Sequence, residues 1–269
     1  MILFCLLSGL SPFVGGAYIL IYLLFSITIT RMRAEAGPAW TMGPDWGANQ
    51  VLINSVGSRM FSKQSLVMLA YLNWFSIEMR CDPMPGQLEA MKMTDAVRAR
   101  QRAMLLLMVA AIVIGIVIGF WACLAVWYGH GAATAKVEPW RTSMGAEPFR
   151  RVEGHLANPK SADLSGIVAM TLGVCLTLFL AAMRNQFLWF PFHPVGYALA
   201  GTWTMHWLWL PFLIAWLIKV TLIRYAGIRG YRQALPFFLG LILGDYVASG
   251  FWALIGSVLG MQMYRCFPC

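Results

Sequence analysis

Hydrophobic and polar positions along this chain are grouped in long blocks instead of alternating at a short period. A bilayer core requires about 20 consecutive apolar residues for each crossing helix. Five apolar runs have that length, and two further runs have about half of it. The long runs occupy 2–30, 104–128, 164–190, 204–223 and 235–264, and the short runs occupy 48–61 and 65–77. The pattern predicts an all-α, polytopic transmembrane helical bundle with about six membrane segments and one or two broken or re-entrant half-helices.

Polar residues gather between these runs, and their charge indicates how the chain is oriented. We interpret the whole chain, 1–269, as a single transmembrane helical domain with polar loops at about 31–47, 78–103, 129–163 and 224–234. Arg224, Arg229 and Arg232 have no acidic residue beside them in the last loop. Because cytoplasmic loops are enriched in Lys and Arg, we expect this loop in the cytoplasm.

Composition supports a membrane protein and excludes a soluble domain. Hydrophobic residues make up 59% of the 269 residues and charged residues only 12%, which is about half the charged fraction of a soluble domain. The net charge of +9 comes from 20 basic and 11 acidic residues. Since the charges lie between the apolar runs, we attribute the excess to membrane orientation and expect no nucleic-acid partner. The prediction is a multi-pass protein of the cell (inner) membrane, with the lipid bilayer as its partner.

The stretch 190–219, FPFHPVGYALAGTWTMHWLWLPFLIAWLIK, combines membrane-like hydrophobicity with helix-breaking residues. Pro191 and Pro194 remove backbone donors, so we predict a break after about 189, a short half-segment containing Gly196 and Gly201, and a new helix from about 202. Discontinuous helices expose backbone groups that bind substrates or ions. His193 and His206 flank the predicted break and are candidate ligands or proton carriers.

The tryptophans of this stretch have a second interpretation. Tryptophan is the residue type that forms aromatic belts at membrane interfaces. The candidates for such a belt are Trp189, just before the stretch, and Trp203, Trp207, Trp209 and Trp216 within it. In that case the two histidines would lie at headgroup level without a role in transport.

Asp245 is an acidic residue within an apolar run, ten residues after Leu235 and nineteen before Tyr264. Acidic residues at such depth face the bundle interior or a solute pathway by default. At helical spacing Asp245 shares a face with Ser249, Trp252 and Gly256. The two interpretations are a proton-coupling carboxylate in a pathway and a structural partner of an arginine or backbone group.

Small residues four positions apart predict close helix packing. The pairs are Gly115 with Gly119, Gly240 with Gly244, and Gly256 with Gly260.

Motifs for chemistry are few. The sequence has no HExxH, GxSxG or GxxxxGK[ST] motif and no two histidines three or four positions apart, so we expect neither an enzyme nor a bound cofactor or metal. Cys266 and Cys269 form a CxxC pair, a spacing found in redox pairs and half zinc sites. Without a second pair, their role stays open.

Residues 193–256, HPVGYALAGTW through SGFWALIG, resemble the C-terminal part of uncharacterised bacterial membrane proteins related to the oligopeptide transporter superfamily. RMRAEAGPAW at 31–40 resembles a loop of the same proteins. The resemblance implies a proton-driven polytopic carrier of about twice this length that moves peptides or metal chelates. The asparagine-proline-glycine and lysine-isoleucine-proline-proline signatures of the peptide and metal-chelate branches are absent. About half of the spans implied are present, so we expect a homo-oligomer or another membrane chain that supplies the missing half.

Two functions follow from these observations. The first is a secondary, proton-coupled transporter or transporter half for a small molecule or peptide. Its substrate or ion pathway would contain His193, Gly196, Gly201, His206, Asp245 and Ser249. The alternative is a non-transporting structural or assembly subunit of a larger membrane protein complex.

Overall fold

The computed structural model describes residues 8–38, 43, 46–77, 79–132, 139–187 and 189–261. The chain divides into two compact units, Met1–His206 and Trp207–Cys269. All regular secondary structure in the described ranges is helical. The helices are α1 (Pro12–Ala36), α2 (Ala48–Val56), α3 (Lys63–Tyr71), α4 (Asn73–Ile77), α5 (Pro83–Ala96), α6 (Gln101–His130), α7 (Pro139–Ala157), α8 (Leu164–Gln186), α9 (Pro194–Ala200) and α10 (Trp203–Leu259), with 3₁₀ turns at Ser58–Met60 and Met79–Cys81.

Four of the described helices are long and apolar enough to cross a membrane: α1, α6, α8 and α10. No residue is buried in the most apolar 18-residue window of α6 or of α8. Apolar side chains without protein cover require lipid or another apolar surface around them. The prediction of an all-α fold with helices long and apolar enough to cross a membrane is therefore confirmed for the described residues, whereas the count of about six membrane segments stays a prediction.

Helix α1 begins and ends where local residue types favour it. Pro12 occupies the first turn, where its missing N–H is not needed. Gly37 ends the helix in the left-handed conformation (φ 67°), and its N–H donates to the carbonyl of Arg33. This is the turn that Gly37 and Pro38 indicate in the sequence, although the helix extends into the predicted loop 31–47.

Three short helices follow α1 and form an interrupted segment. Helices α2 and α3 have nine residues each and α4 has five. At about 1.5 Å per residue, none of them crosses a bilayer core. These helices correspond to the two half-length runs of the sequence, 48–61 and 65–77.

The break between α3 and α4 lies at Leu72. Its carbonyl accepts a hydrogen bond of 2.7 Å from the hydroxyl of Tyr18, which is fully buried in α1. The core of the first unit surrounds this bond and combines residues from α1, α2, α3 and α7. Its buried members are Leu10, Tyr18, Ala48, Leu52, Ile53, Leu66, Leu69, Ala70, Leu72 and Val152.

Helix α5 lies in the predicted loop 78–103 and packs against α1. Asp82 caps α5 by accepting from the N–H of Met84 at 3.2 Å, and its second carboxylate oxygen accepts from the buried hydroxyl of Ser26. Near the C-terminal end of α1, Arg33 binds both carboxylate oxygens of Glu89 in α5 at 2.6 and 3.0 Å. Asp82 and Glu89, two polar residues of the predicted loop 78–103, thus bind α5 to α1.

Helix α7 lies in the other long predicted loop, 129–163, and packs against α3. Its buried side chain Val152 belongs to the core. Hydropathy along the sequence identifies apolar runs. It does not identify α7, because this helix is mostly polar and buries only a narrow face.

The predicted break near 189 is confirmed. Helix α8 ends at Gln186, and α9 follows as a seven-residue helix that contains Gly196 and ends at Gly201. Helix α10 then begins at Trp203. Val195 and Leu199 of α9 pack with Met32 near the end of α1.

Helix α10 contains the apolar run 204–223, the predicted loop 224–234 and the part of the apolar run 235–264 that ends at Leu259. It has 57 residues, and Gly227 has non-helical angles within it (φ 63°, ψ −168°). A straight helix of this length would measure about 85 Å, far more than a bilayer core. The predicted runs lie on opposite sides of Gly227, where the left-handed φ suits a residue without Cβ.

We expect Tyr18→Phe to lower the free energy of unfolding by about 0.5–1.5 kcal/mol, because the buried Leu72 carbonyl loses the hydroxyl donor and keeps only the N–H of Phe75 at 3.1 Å. The measurement is unfolding of the purified protein in mixed micelles of neutral detergent and dodecyl sulfate. Tyr128→Phe is the matched control, since Tyr128 is 87% exposed. Equal stability of both variants would contradict the role given to this hydrogen bond.

Candidate functional site

A buried polar cluster lies where the interrupted segment brings α2 and α4 together. Its members are Asn49 of α2, and Asn73 and Ser76 of α4, which are 5%, 4% and 1% exposed. The side-chain N–H of Asn49 donates to the Oδ1 of Asn73 at 3.0 Å. Three polar side chains are thus held away from water by helices too short to span the bilayer.

Two oxygens of this cluster lack a hydrogen-bond partner among the described residues: Asn49 Oδ1 and Ser76 Oγ. An unsatisfied buried acceptor costs about 1–3 kcal/mol. Native structures keep few such groups, and those that persist often have a functional role. Both oxygens can accept a hydrogen bond, and the serine hydroxyl can also donate one.

Gly47 lies at the centre of the cluster. A Cβ at this position would be 2.7 Å from Asn49 Oδ1 and 2.9 Å from Ser76 Oγ, with Asn73 Oδ1 at 3.7 Å. Three oxygens therefore converge on one point beside the backbone. The φ of −67° at Gly47 is ordinary, so close approach explains the glycine better than backbone conformation does.

The local sequence explains how the cluster forms. Gly47 begins α2, and its carbonyl accepts from Gln50 N–H and Val51 N–H at 3.0 and 3.2 Å. Asn73 begins α4 directly after the break at Leu72, whose carbonyl is bound by Tyr18. Contact between α2 and α4 then brings their polar side chains together.

His193, one of the predicted site residues, caps α9. Its Nδ1 accepts from the N–H of Val195 at 3.1 Å, and its Nε2 lies 3.7 Å from a carboxylate oxygen of Glu35. Glu35 also accepts from Arg31 Nε at 2.7 Å. Because Nδ1 is an acceptor, the imidazole carries its proton on Nε2, towards Glu35. The predicted residues Gly196 and Gly201 lie within and at the end of α9.

The remaining predicted pathway residues lie on α10. His206 is exposed in its first turns and is the last residue of the first unit. Asp245 and Ser249 belong to the second unit, where the Ser249 hydroxyl donates to the Asp245 carbonyl at 2.7 Å. The acceptor is the backbone carbonyl one helical turn before Ser249, so the bond does not involve the Asp245 carboxylate. A common site of His193, His206 and Asp245 stays a prediction.

The predicted packing glycines belong to α6 and α10. For Gly115, Gly119, Gly240 and Gly244, no described atom of their own unit lies within 4 Å of a Cβ built there. Gly256 is buried, and Gly260 follows α10 with a left-handed φ of 64°. A packing role for these residues stays a prediction. Cys266 and Cys269 lie outside the described residues.

The residues of the buried cluster are not among the site residues predicted from the sequence. Asn73 stands out as an amide in a short apolar run, which is a weak signal. Gly47 is the last residue of the predicted loop 31–47 and Asn49 follows it closely, in a region where polar residues and glycines are expected. A search for metal sites among the described residues finds no cluster of three His, Cys, Asp or Glu side chains.

The fold defines an all-helical protein with apolar helices of membrane-spanning length and an interrupted helical segment. The chain belongs to a family of unknown function, DUF6785, which matches residues 1–268. No curated protein and no solved structure was found to match the chain.

We expect Ser76→Ala to leave stability unchanged or to raise it by about 1 kcal/mol, because it removes a buried hydroxyl without a described partner. Gly47→Ala should instead lower the free energy of unfolding by about 1–3 kcal/mol, because the new methyl group crowds Asn49 and Ser76. Chemical unfolding in mixed micelles measures both effects.

Gly86→Ala is the matched control for the glycine variant. No atom lies within 4 Å of a Cβ at Gly86 in α5, so alanine there should stabilise the helix slightly. A stabilising Gly47→Ala would show that the three oxygens do not crowd this position.

Proposed function

We propose that this protein is a secondary membrane transporter, or half of one, and that it binds a small polar solute at the interrupted segment α2–α4. The observation that carries the proposal is the pair of buried oxygens without described partners, Asn49 Oδ1 and Ser76 Oγ. A solute with N–H or O–H donors would satisfy them. Binding would recover about the free energy that the two unpaired oxygens cost in the empty site.

Interrupted helices suit this function for a physical reason. Backbone that leaves the helical path at membrane depth is tolerated where it lies in protein or lines a cavity, and transporter sites use such helices. The segment α2–α4 has this form, and Tyr18 satisfies the carbonyl at its break. The helix α9, with Gly196 and Gly201, is a second short helix of this kind.

Protons are the proposed coupling ion. Asp245 lies in the apolar part of α10, where a carboxyl group that gains and loses a proton would change the energy of the helix in lipid. His193 faces Glu35 at 3.7 Å, and an imidazole beside a carboxylate is suited to proton transfer. His206 and Ser249 are the further proposed pathway residues.

The resemblance to proteins related to the oligopeptide transporter superfamily supports this proposal and points to peptides or metal chelates as solutes. It further supports a location in the cell (inner) membrane and a second copy or another membrane chain as partner. Division of α10 at Gly227 would give five spans, and the interrupted segment would supply the sixth membrane segment.

An assembly subunit of a larger membrane complex is the second candidate. It is favoured by the exposed apolar surfaces of α6 and α8, in whose central windows no residue is buried. Lipid covers such surfaces equally well. The buried polar cluster has no evident use in a purely structural subunit, so the transporter is the better-supported proposal.

The test uses the full chain in liposomes that contain a pH-sensitive dye. A mixture of tripeptides, and separately ferric citrate, is added outside, and proton entry is recorded. We expect proton entry with at least one of these solutes. Ser76→Ala should reduce the rate about tenfold, since one solute hydrogen bond is worth about 1.4 kcal/mol.

Asp245→Asn should abolish proton entry while labelled solute still exchanges across the membrane. Asn158→Ala is the matched control for an amide outside the cluster, because Asn158 is exposed after α7. Proton entry that is the same in the native protein, Ser76→Ala and Asp245→Asn would contradict the proposal. Absence of any uptake, together with purification in a fixed ratio with unrelated chains, would favour the assembly subunit.

A further inference from the structure

A cleft of about 310 Å³ lies in the first unit, and none of its lining residues belongs to the polar cluster. Trp46 and one face of α2 form one side, and α7 forms the other. The lining residues are Trp46, Gln50, Ile53, Asn54, Arg151 and His155. The volume lies at the lower end of the range for small-molecule pockets, roughly 300–1,000 Å³.

The lining side chains are mainly hydrogen-bond donors. Arg151 supplies a guanidinium group, while Gln50 and Asn54 supply amide N–H groups from the opposite side. Trp46 adds an indole N–H and an aromatic surface. No acidic side chain among the described residues lines the cleft, although Glu147 accepts from Arg151 Nε at 3.1 Å. This ion pair is exposed and leaves the two terminal nitrogens of Arg151 for a ligand.

Positively charged side chains lie near His155 in the cleft. Burial lowers the pKa of His155, and the nearby positive charges of Lys160 and Arg151 lower it further. His155 is therefore a neutral imidazole at pH 7, with one donor nitrogen and one acceptor nitrogen. A ligand with negative charge would reduce the repulsion among these groups.

Hydrogen bonds fix the wall behind the cleft. The carbonyl of Asn54 accepts from Asp163 N–H at 2.9 Å, and Ser58 Oγ accepts from Lys160 N–H at 2.8 Å. At Gly57, a Cβ would lie 2.6 Å from the backbone nitrogen of Ala162. The end of α2 and the segment before α8 are thus in direct contact, so the cleft is preformed and binding requires little ordering.

The position of α7 along the chain indicates where the cleft lies relative to a bilayer. Helix α7 connects α6 and α8, both of membrane-spanning length and composition. A polar helix between two such helices lies outside the hydrocarbon core, at the level of lipid headgroups or in water.

We propose that this cleft binds a phosphate group, with Arg151 as its main ligand and Gln50, Asn54 and the indole of Trp46 as further donors. Donors on opposite sides of the cleft suit the tetrahedral oxygens of phosphate. The group belongs to an anionic lipid headgroup or to a small soluble phosphate ester. The cleft shares no lining residue with the proposed solute site, so the proposal stands whether or not the protein transports a solute.

The test is isothermal titration calorimetry of the full chain in a neutral maltoside detergent at constant ionic strength. The probes are inorganic phosphate, glycerol phosphate and short-chain phosphatidylglycerol. We expect saturable binding of at least one probe. Arg151→Gln should weaken it by about tenfold to a hundredfold, as expected for a lost hydrogen bond to a charged group.

Arg150→Gln is the matched control, because Arg150 is exposed and does not line the cleft. Gln50→Glu is the second variant: it preserves the shape of the side chain, leaves Arg151 in place and adds a negative charge to the cleft. It should also weaken binding. Circular dichroism and thermal unfolding establish that each variant is folded.

The three probes distinguish the two sources of phosphate. Binding of phosphatidylglycerol about tenfold or more tighter than glycerol phosphate would identify a lipid headgroup. Equal affinity would identify a soluble phosphate ester. Equal weakening by Arg150→Gln and Arg151→Gln would overturn the proposal, since it would show attraction by the general positive charge. Absence of saturable binding for all three probes would overturn it as well.

Discussion

The hydrogen bond from Tyr18 to the carbonyl of Leu72 is the interaction on which the interrupted segment depends. Where a helix stops in an environment without water, its last carbonyls lose their partners. Tyr18 supplies a donor from α1 at 2.7 Å, in addition to the N–H of Phe75 at 3.1 Å, so the Leu72 carbonyl stays paired where the chain leaves the helical path and begins α4. The same bond holds α1 against α3. Together with the Asn49–Asn73 hydrogen bond, it holds Asn73 and Ser76 beside α2.

The hydrogen bonding of the backbone at Leu72 differs from that of the side chains in the buried cluster. The backbone at the break has its partner, whereas Asn49 Oδ1 and Ser76 Oγ lack one among the described residues. A structure selected only for stability would replace Ser76 with an apolar residue of similar size. Retaining a buried hydroxyl lowers stability, and losses of stability of this kind are concentrated at functional sites. This argument favours a solute site over simple packing.

The sequence predicts elements that depend on local residue types and misses contacts between distant ones. Apolar length predicts α6 and α8, and Pro191 and Pro194 predict the break before α9. The polar helices α5 and α7 are missed, because they contribute few buried side chains to the core. Tyr18 and Leu72 are 54 positions apart, and helical periodicity indicates which face is buried but not which residue it meets.

The same reasoning explains why the buried cluster in the structure is not the site that the sequence predicts. A histidine or aspartate in an apolar run stands out in the sequence because its charge is unusual there. Asn49 lies close to a polar loop and does not stand out, so its burial becomes evident only when α2 packs against α4. Gly47 has an ordinary φ of −67°. Its importance comes from the three oxygens around it, which only the fold brings together.

The most direct test of this account is whether solutes from water reach Ser76 in a membrane. The measurement is the rate at which a small, charged thiosulfonate reagent modifies Ser76→Cys in liposomes, in a chain whose native cysteines are replaced. A chain that retains only the exposed Cys81 gives the reference rate. The account predicts modification of Ser76→Cys, slowed by the transported solute. Complete protection, with Cys81 fully reactive, would show that the cluster is sealed packing and would contradict a solute site.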